Sequence, residues 1–140
     1  MRYKKRLSGP ILDRIDIHVN VPFVEVKKLK MRQLESGKRE TSKQIRERVM
    51  KARGIQLERF KKEKIFSNAE MKNKQVKKYS QLSQEAENLL QRAANNFQLS
   101  ARSYYRLIKV GRTIADLGGE GEISQQHIAE ALQYRIREEV

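Results

Sequence analysis

The stretch Leu99-Ser-Ala-Arg-Ser-Tyr-Tyr-Arg-Leu-Ile-Lys-Val-Gly-Arg-Thr-Ile-Ala-Asp-Leu117 predicts a helix at the centre of the fold. Ser100 is a good N-cap, because its hydroxyl accepts from an otherwise unpaired N–H of the first turn. The apolar residues that follow recur at three- and four-residue spacing, which indicates one buried face. They are Tyr104, Leu107, Ile108, Val110, Gly111, Ile114, Ala115 and Leu117.

Arg102 is the exception in this helix. A cation in the first turn lies beside the positive end of the helix dipole, which costs a few tenths of a kcal/mol up to about 1 kcal/mol. A phosphate or carboxylate bound there would reverse that cost, since it would meet backbone N–H donors and a guanidinium together. The alternative is an exposed arginine paired with a nearby glutamate.

Further helices are predicted on both sides of this stretch. Thr41 and Gln44 form a capping box for a basic helix that runs to about Lys62. Its apolar stripe consists of Ile45, Val49, Ala52, Gln56 and Phe60. A short helical piece begins at Asn68 and carries Met71, Val76 and Tyr79.

The next helix begins after Ser83 and has a predicted buried face made of Ala86, Leu89, Leu90, Ala93 and Phe97. Residues 118–121 end the central helix, and a last helix buries Ile128, Ala131, Leu132 and Ile136. The chain is therefore predicted to be mainly α, a small helical bundle.

Before the bundle, apolar residues alternate with polar ones between Ile15 and Phe23, which predicts one strand. A single strand needs a partner, so it either joins a sheet outside this chain or remains an arm. Residues 1–7 are predicted to form a basic arm, and residues 27–40 are predicted to form a polar linker.

The composition narrows the class of protein. The 140 residues suit one domain and include no cysteine, and the two histidines, His18 and His127, stand far apart, so no metal site is expected. Neither a long apolar run nor a signal peptide is visible, so we expect a soluble, cytoplasmic chain without a membrane partner. No nucleophile, base and carboxylate fall into a catalytic pattern, and Ser36-Gly37-Lys38-Arg39 does not fit a phosphate-binding loop.

Positive charge is confined to the first part of the chain. Residues 1–80 hold 24 Lys and Arg against 9 Asp and Glu, whereas residues 81–140 hold 7 against 8. A basic segment of this kind is typical of proteins that bind nucleic acid, and equally of a solvated lysine-rich surface.

Arg14 and Arg102 each lie in a sequence motif that resembles a known protein family. The motifs Ser8-Gly-Pro-Ile-Leu-Asp-Arg-Ile-Asp-Ile-His-Val19 and Ser100-Ala-Arg-Ser-Tyr-Tyr-Arg-Leu-Ile-Lys-Val-Gly-Arg-Thr-Ile-Ala-Asp-Leu117 resemble the C-terminal part of magnesium-chelatase-like AAA+ ATPases of the competence protein ComM (YifB) type. The likeness runs from about Arg2 to Arg135 and includes Ile128-Ala-Glu-Ala-Leu-Gln-Tyr-Arg135. Gly111 stands where that family usually has alanine, which suggests close packing.

The resemblance implies an architecture and a role for each arginine. Residues 1–26 would be the end of an AAA+ core with its last strand, 27–40 a linker, and 41–140 a helical lid whose sensor-2 helix spans 100–117. Arg14 is similar to an arginine finger, which acts in trans on the nucleotide of a neighbouring subunit. Arg102 is similar to sensor 2, which contacts the terminal phosphates from the lid.

The resemblance implies a whole protein that is an ATP-driven motor acting on DNA, in competence-linked processing or branch migration. It would assemble as a homo-hexamer, each lid on its own AAA+ core. ATP and magnesium would belong to the full-length protein, since the phosphate-binding loop and magnesium-binding strand are expected upstream of residue 1. This chain alone is therefore not expected to bind a cofactor or to be an ATPase. The alternatives are a stand-alone helical DNA-binding or adaptor module and a metal-chelatase motor subunit; the DNA-contacting residues stay unassigned.

Overall fold

The structure, a computed structural model, describes residues 14–23 and 40–135. Its elements are α1 (Ser42–Arg59), a 3₁₀ turn (Asn68–Glu70), α2 (Asn73–Tyr79), α3 (Gln84–Asn96), α4 (Ala101–Gly118) and α5 (Gln125–Gln133). Within the two described ranges there is no regular strand. The predicted mainly helical class is therefore confirmed.

The predicted caps form as their chemistry requires. Thr41 Oγ1 accepts from Gln44 N at 3.3 Å, and Gln44 Oε1 accepts from Thr41 N at 2.7 Å, so both halves of the capping box are present. Ser83 Oγ accepts from the N–H of Ala86 at 3.2 Å at the start of α3. At the other end of α4, Gly119 has φ +75°, the left-handed conformation that glycine adopts without steric cost.

α4 lies at the centre of the bundle and packs against α1, the 3₁₀ turn, α2 and α5, while α3 packs against α5. The buried apolar core draws on α2 to α5, on the links between helices and on Phe60, the residue that follows α1. Its members are Phe60, Met71, Val76, Ala86, Leu90, Leu107, Ile108, Ile123, Ile128 and Ala131. The central position predicted for this helix is thus what the structure shows.

Gly111 permits the closest approach in this core. A Cβ added there would lie 3.0 Å from Ile128 Cδ1 and 3.3 Å from Ile123 Cγ2, and both isoleucines are fully buried. The close packing suggested by glycine at this position is therefore present between α4 and α5.

Two glycine substitutions should separate helix propensity from packing. Gly54 lies in the middle of α1, and an added Cβ would meet no atom within 4 Å. We expect Gly54→Ala to raise the free energy of unfolding by about 0.5–1 kcal/mol, because alanine restricts the unfolded chain and favours the helix. At Gly111 the same gain should be cancelled or reversed, since overpacking costs about 1–3 kcal/mol.

Urea denaturation of the two variants beside the parent chain measures this difference. An equal stabilisation by both substitutions would show that Ile123 and Ile128 move aside freely.

The strand predicted over residues 15–23 does not form. The described residues 14–23 make an arm, in which His18 N donates to Tyr134 O at 2.8 Å. No second strand is present in the described ranges to complete a ladder, so the alternating pattern has no sheet to join.

Three predicted helix details also need correction. The helix after Thr41 ends at Arg59 and not near Lys62, and its stripe is buried only from Ala52 onward, since Ile45 and Val49 are more than 40% exposed. Phe97 is also exposed, with the Arg135 guanidinium 3.7 Å from its ring centroid. These apolar residues follow the right period but extend beyond the surface that neighbouring helices cover.

The predicted basic arm 1–7, residues 27–39 of the predicted linker, and Ile136 lie outside the described residues, as does the boundary placed at residue 26.

Candidate functional site

The start of α4 presents Arg102 to solvent. Ser100 Oγ accepts from Ser103 N at 3.2 Å, so the predicted N-cap is formed and the first turn is in place. Within residues 14–23 and 40–135, no carboxylate lies within ion-pair distance of the exposed Arg102. The alternative in which a nearby glutamate neutralises this arginine is therefore not realised in the described residues. A cation and free backbone donors are left facing outward, which suits an anion.

Arg14 is also exposed, at the beginning of the arm. The two residues after it are bound to α4: Arg106 Nε lies 3.0 Å from Asp16 Oδ1, and Arg106 Nη1 donates to Ile15 O at 3.2 Å. Arg106 is one turn along the helix from Arg102. Arg106 thus holds the two residues after Arg14 against the helix that begins with Arg102.

Arg102, Arg106 and Lys109 form a row along one side of α4, at spacings of four and three residues. Lys109 Nζ donates to Ala69 O at 3.0 Å. Burial lowers the pKa of Lys109, while the nearby Asp16 carboxylate raises it and Arg102 lowers it further. Asp16 is therefore the carboxylate that offsets this row, which was not predicted although the spacing of its three cations is visible in the sequence.

A cavity of about 290 Å³ lies beside the start of α4, between the arm and the ends of α3 and α5. Ser100, Ser103 and Arg106 line one side, and Asp16 and Arg135 also face it. Arg102 does not line this cavity, and the carboxylate of Asp16 already neutralises Arg106. The exposed surface around Arg102, where an anion would bind, is thus separate from this cavity.

A buried polar cluster joins α1 to the second half of α4. The carboxylate of Asp116 contacts Arg59 through both of its oxygens, at 2.7 Å for Arg59 Nη1 to Oδ2, and accepts from Asn68 Nδ2 at 2.7 Å. Arg112 Nε donates to the other oxygen, Oδ1, at 3.1 Å. Every polar atom of the carboxylate therefore has a partner, as a charge without solvent requires.

Arg112 is the largest fully buried side chain of the described residues. Its guanidinium also donates to the carbonyl of Gly121 at 2.6 Å and to that of Glu120, so it closes the turn after α4. Burial lowers the pKa of Arg112 and Asp116 raises it, but an arginine pKa is high enough for the side chain to stay charged.

This cluster was not predicted, although the sequence contains a spacing that indicates part of it. Arg112 and Asp116 are spaced i, i+4 and occur among residues of the apolar stripe, close to Ile108 and Ala115. Opposite charges at that spacing, flanked by buried positions, indicate an ion pair inside the core rather than on the surface. Arg59, the third member, is 57 residues away and could not be matched to them by local spacing.

The two histidines lie in separate settings, and His127 has Ser124 Oγ 3.2 Å from Nδ1 and Glu120 Oε1 3.6 Å from Nε2. His127 is buried at the start of α5, where its Nδ1 accepts from Ser124 N at 3.0 Å. His18 lies in the arm with Nε2 3.0 Å from Ile15 O. Across the described ranges, no group of three or more potential ligands is arranged to hold a metal ion. None of the helices described there is long and apolar enough to cross a membrane.

Comparison with known proteins extends these observations. Residues 39–135 match the family model described as magnesium chelatase, subunit ChlI C-terminal, and residues 1–29 match the model for magnesium chelatase, subunit ChlI. The chain is 45% identical over 135 residues to "Competence protein ComM" of Haemophilus influenzae. It is 36% identical over 135 residues to "Uncharacterized protein YifB" of Salmonella typhimurium and 35% identical to that of Escherichia coli.

Each of these three alignments covers 96% of this chain and 25% of the relative, so the chain spans about a quarter of their length. The resemblance stated from the motifs around Arg14 and Arg102 is confirmed at the level of the family.

Proposed function

Because this chain belongs to the magnesium chelatase subunit ChlI family, in its C-terminal part, we propose that it forms the lid of an ATP-driven AAA+ motor that acts on DNA. The observation that carries the proposal is Arg102, an exposed cation in the capped first turn of α4 with no carboxylate partner among the described residues. The planar guanidinium of such an arginine can donate two hydrogen bonds to a phosphate, and the N-terminal end of the helix adds its own backbone N–H groups. Arg102 would contact the terminal phosphates of ATP as sensor 2.

Arg14 would serve a different nucleotide, the one held by the neighbouring subunit. Its exposure at the start of the arm supports that role, and Arg106 fixes the residues after it against the lid. An arginine finger stabilises the charge that develops on a transferring phosphoryl group. A finger that acts in trans implies a ring, so we propose a homo-hexamer in which each lid packs on its own AAA+ core.

The described residues fit one part of an ATP site and not all of it. Arg102 suits a phosphate, whereas no cluster of acidic ligands for magnesium occurs in the described ranges. We therefore assign the phosphate-binding loop and the magnesium ligands to other parts of a longer protein that contains this chain. When bound there, ATP supplies the phosphoryl group whose transfer drives the motor, and this chain contributes the two arginines.

DNA as the substrate is supported by two observations. Residues 40–80 hold 13 Lys and Arg against 5 Asp and Glu, whereas residues 81–135 hold 6 of each. The relative from Haemophilus influenzae is named "Competence protein ComM", and the family's link to competence is what suggests DNA processing here. We propose competence-linked DNA processing of the helicase or branch-migration type, in the cytoplasm.

A second candidate follows from the matching family, magnesium chelatase subunit ChlI. In that case the motor would drive metal insertion into a porphyrin. The charge difference between residues 40–80 and 81–135 favours the DNA reading, because a polyanion neutralises such a surface and releases its counterions.

ATP turnover of the longer protein, measured with and without forked or single-stranded DNA, tests the proposal. We expect clear stimulation by DNA. ATP turnover that is unchanged by DNA but increased by a porphyrin partner would favour the chelatase motor. Absence of ATP turnover under all conditions would favour a stand-alone DNA-binding module.

A further inference from the structure

The exposed side of α1 carries a row of cations and apolar side chains. Lys43, Arg46, Met50, Arg53 and Leu57 are spaced by three and four residues and are all exposed. Because an α-helix turns 100° per residue, these five side chains lie within an arc of about 80°. We call this surface the α1 stripe.

The stripe faces away from the bundle. Ala52 and Gln56 are the buried residues of α1, and the centre of the stripe is about 120° around the helix from them. Met50 is 64% exposed and Leu57 is 50% exposed, so nothing in the described residues covers the apolar part of the stripe.

The three cations of the stripe form no ion pair in the described part of the chain. The ion pairs of α1 that the structure shows are Arg48 with Glu40 and Arg59 with Asp116, and Lys61 pairs with Glu58 just beyond the helix. Lys43 and Arg46 have no carboxylate partner within residues 14–23 and 40–135. Arg53 donates to the neutral amide of Gln56 at 3.3 Å, and after the hydrogen bond from Ser67 its charge also helps to lower the pKa of the Glu70 carboxyl. The two carboxylates of α1, Glu47 and Glu58, lie outside the arc.

We propose that the α1 stripe binds the phosphate backbone of duplex DNA. Its three cations span about 15 Å along a straight helix, and Lys and Arg on a helix are common phosphate ligands. Single strands are usually bound by aromatic side chains on which bases stack, and the stripe contains no aromatic residue. The inference rests on the DNA-directed function proposed above and names the surface that meets the DNA.

Binding of this chain to a short fluorescent duplex, measured by anisotropy over a range of KCl concentrations, tests the stripe. The variant Lys43→Gln/Arg46→Gln/Arg53→Gln should lose roughly tenfold or more in affinity, because three phosphate contacts are removed. The slope of log K against log salt should become shallower by about two to three.

A matched control removes the same charge elsewhere. Lys72→Gln/Lys74→Gln/Lys77→Gln alters exposed lysines at α2, and we expect it to keep most of the affinity. Melting temperatures of both variants verify that the chain is folded.

Three outcomes would overturn the proposal: equal loss in the two triple variants, binding of single-stranded DNA that is as tight as that of the duplex, or competition by polyglutamate as effective as by DNA. The assay contains no nucleotide, so its failure leaves the ATP turnover experiment open. A motor without DNA stimulation would in turn overturn the proposed function while duplex binding at the stripe is still measurable.

Discussion

Asp116→Asn should lower the free energy of unfolding by about 3–5 kcal/mol, the cost of removing one partner from a buried ion pair. Asp116 is the only carboxylate in contact with Arg112 and Arg59 among the described residues, and Arg112 is 1% exposed. Without that carboxylate, the Arg112 guanidinium stays charged in the core with no carboxylate in contact, and only the exposed Glu120 acts on it from a distance. Urea denaturation of the parent chain and the variant measures the difference.

Two further variants make this expectation specific. Glu58→Gln removes a carboxylate from a surface pair with Lys61, at 3.5 Å, and should change stability by less than about 0.5 kcal/mol. The double variant Arg112→Met/Asp116→Leu should lose less than Asp116→Asn alone, since it also removes the fully buried Arg112 charge and leaves only Arg59, whose side chain is 14% exposed, without its carboxylate. A loss below about 1 kcal/mol in Asp116→Asn would show that water reaches the cluster.

Arg102→Ala and Arg14→Ala should lower ATP turnover in the longer protein that the proposal implies. We expect about a 10²-fold loss for Arg102→Ala, as for removal of one donor to a transition-state charge. For Arg14→Ala we expect about 10³-fold, the lower end for an arginine finger. Neither side chain forms an ion pair in the described residues, so the melting temperature should not change. Arg92→Ala, an exposed arginine on α3, serves as the control.

Mixing the two variants tests which subunit each arginine serves. In a mixed ring, a subunit with Arg14→Ala keeps its own Arg102 and can receive Arg14 from a neighbour that carries Arg102→Ala. Some nucleotide sites would then be complete, so the mixture should turn over more ATP than either variant alone. Activity no higher than in the separate variants would contradict action of Arg14 in trans.

Local chemistry made much of this fold predictable. The N-caps at Thr41, Ser83 and Ser100 act within three residues of each helix start, and the glycines after α4 end it through backbone geometry. Periodicity likewise identified the core residues of α4 and α5. The motifs around Arg14 and Arg102 were sufficient to identify the family, because they are contiguous in sequence.

What the sequence did not reveal depends on residues that are distant along the chain. Whether Ile45, Val49 and Phe97 are covered depends on where neighbouring helices end, and periodicity carries no such information. The arm over residues 15–23 has the alternation of a strand, but a strand also requires a partner.

The sequence by itself determined the helices and their caps, since these follow from interactions within a few residues, and its contiguous motifs singled out Arg14 and Arg102 through the resemblance to the family. Only the tertiary structure decided that Arg102 has no carboxylate partner among the described residues, while Asp116 gathers Arg59, Asn68 and Arg112. The physical reason is that pairing of charges and loss of solvent are set by contacts between elements. The sequence alone therefore does not distinguish an unpaired surface charge from a charge in a buried ion pair.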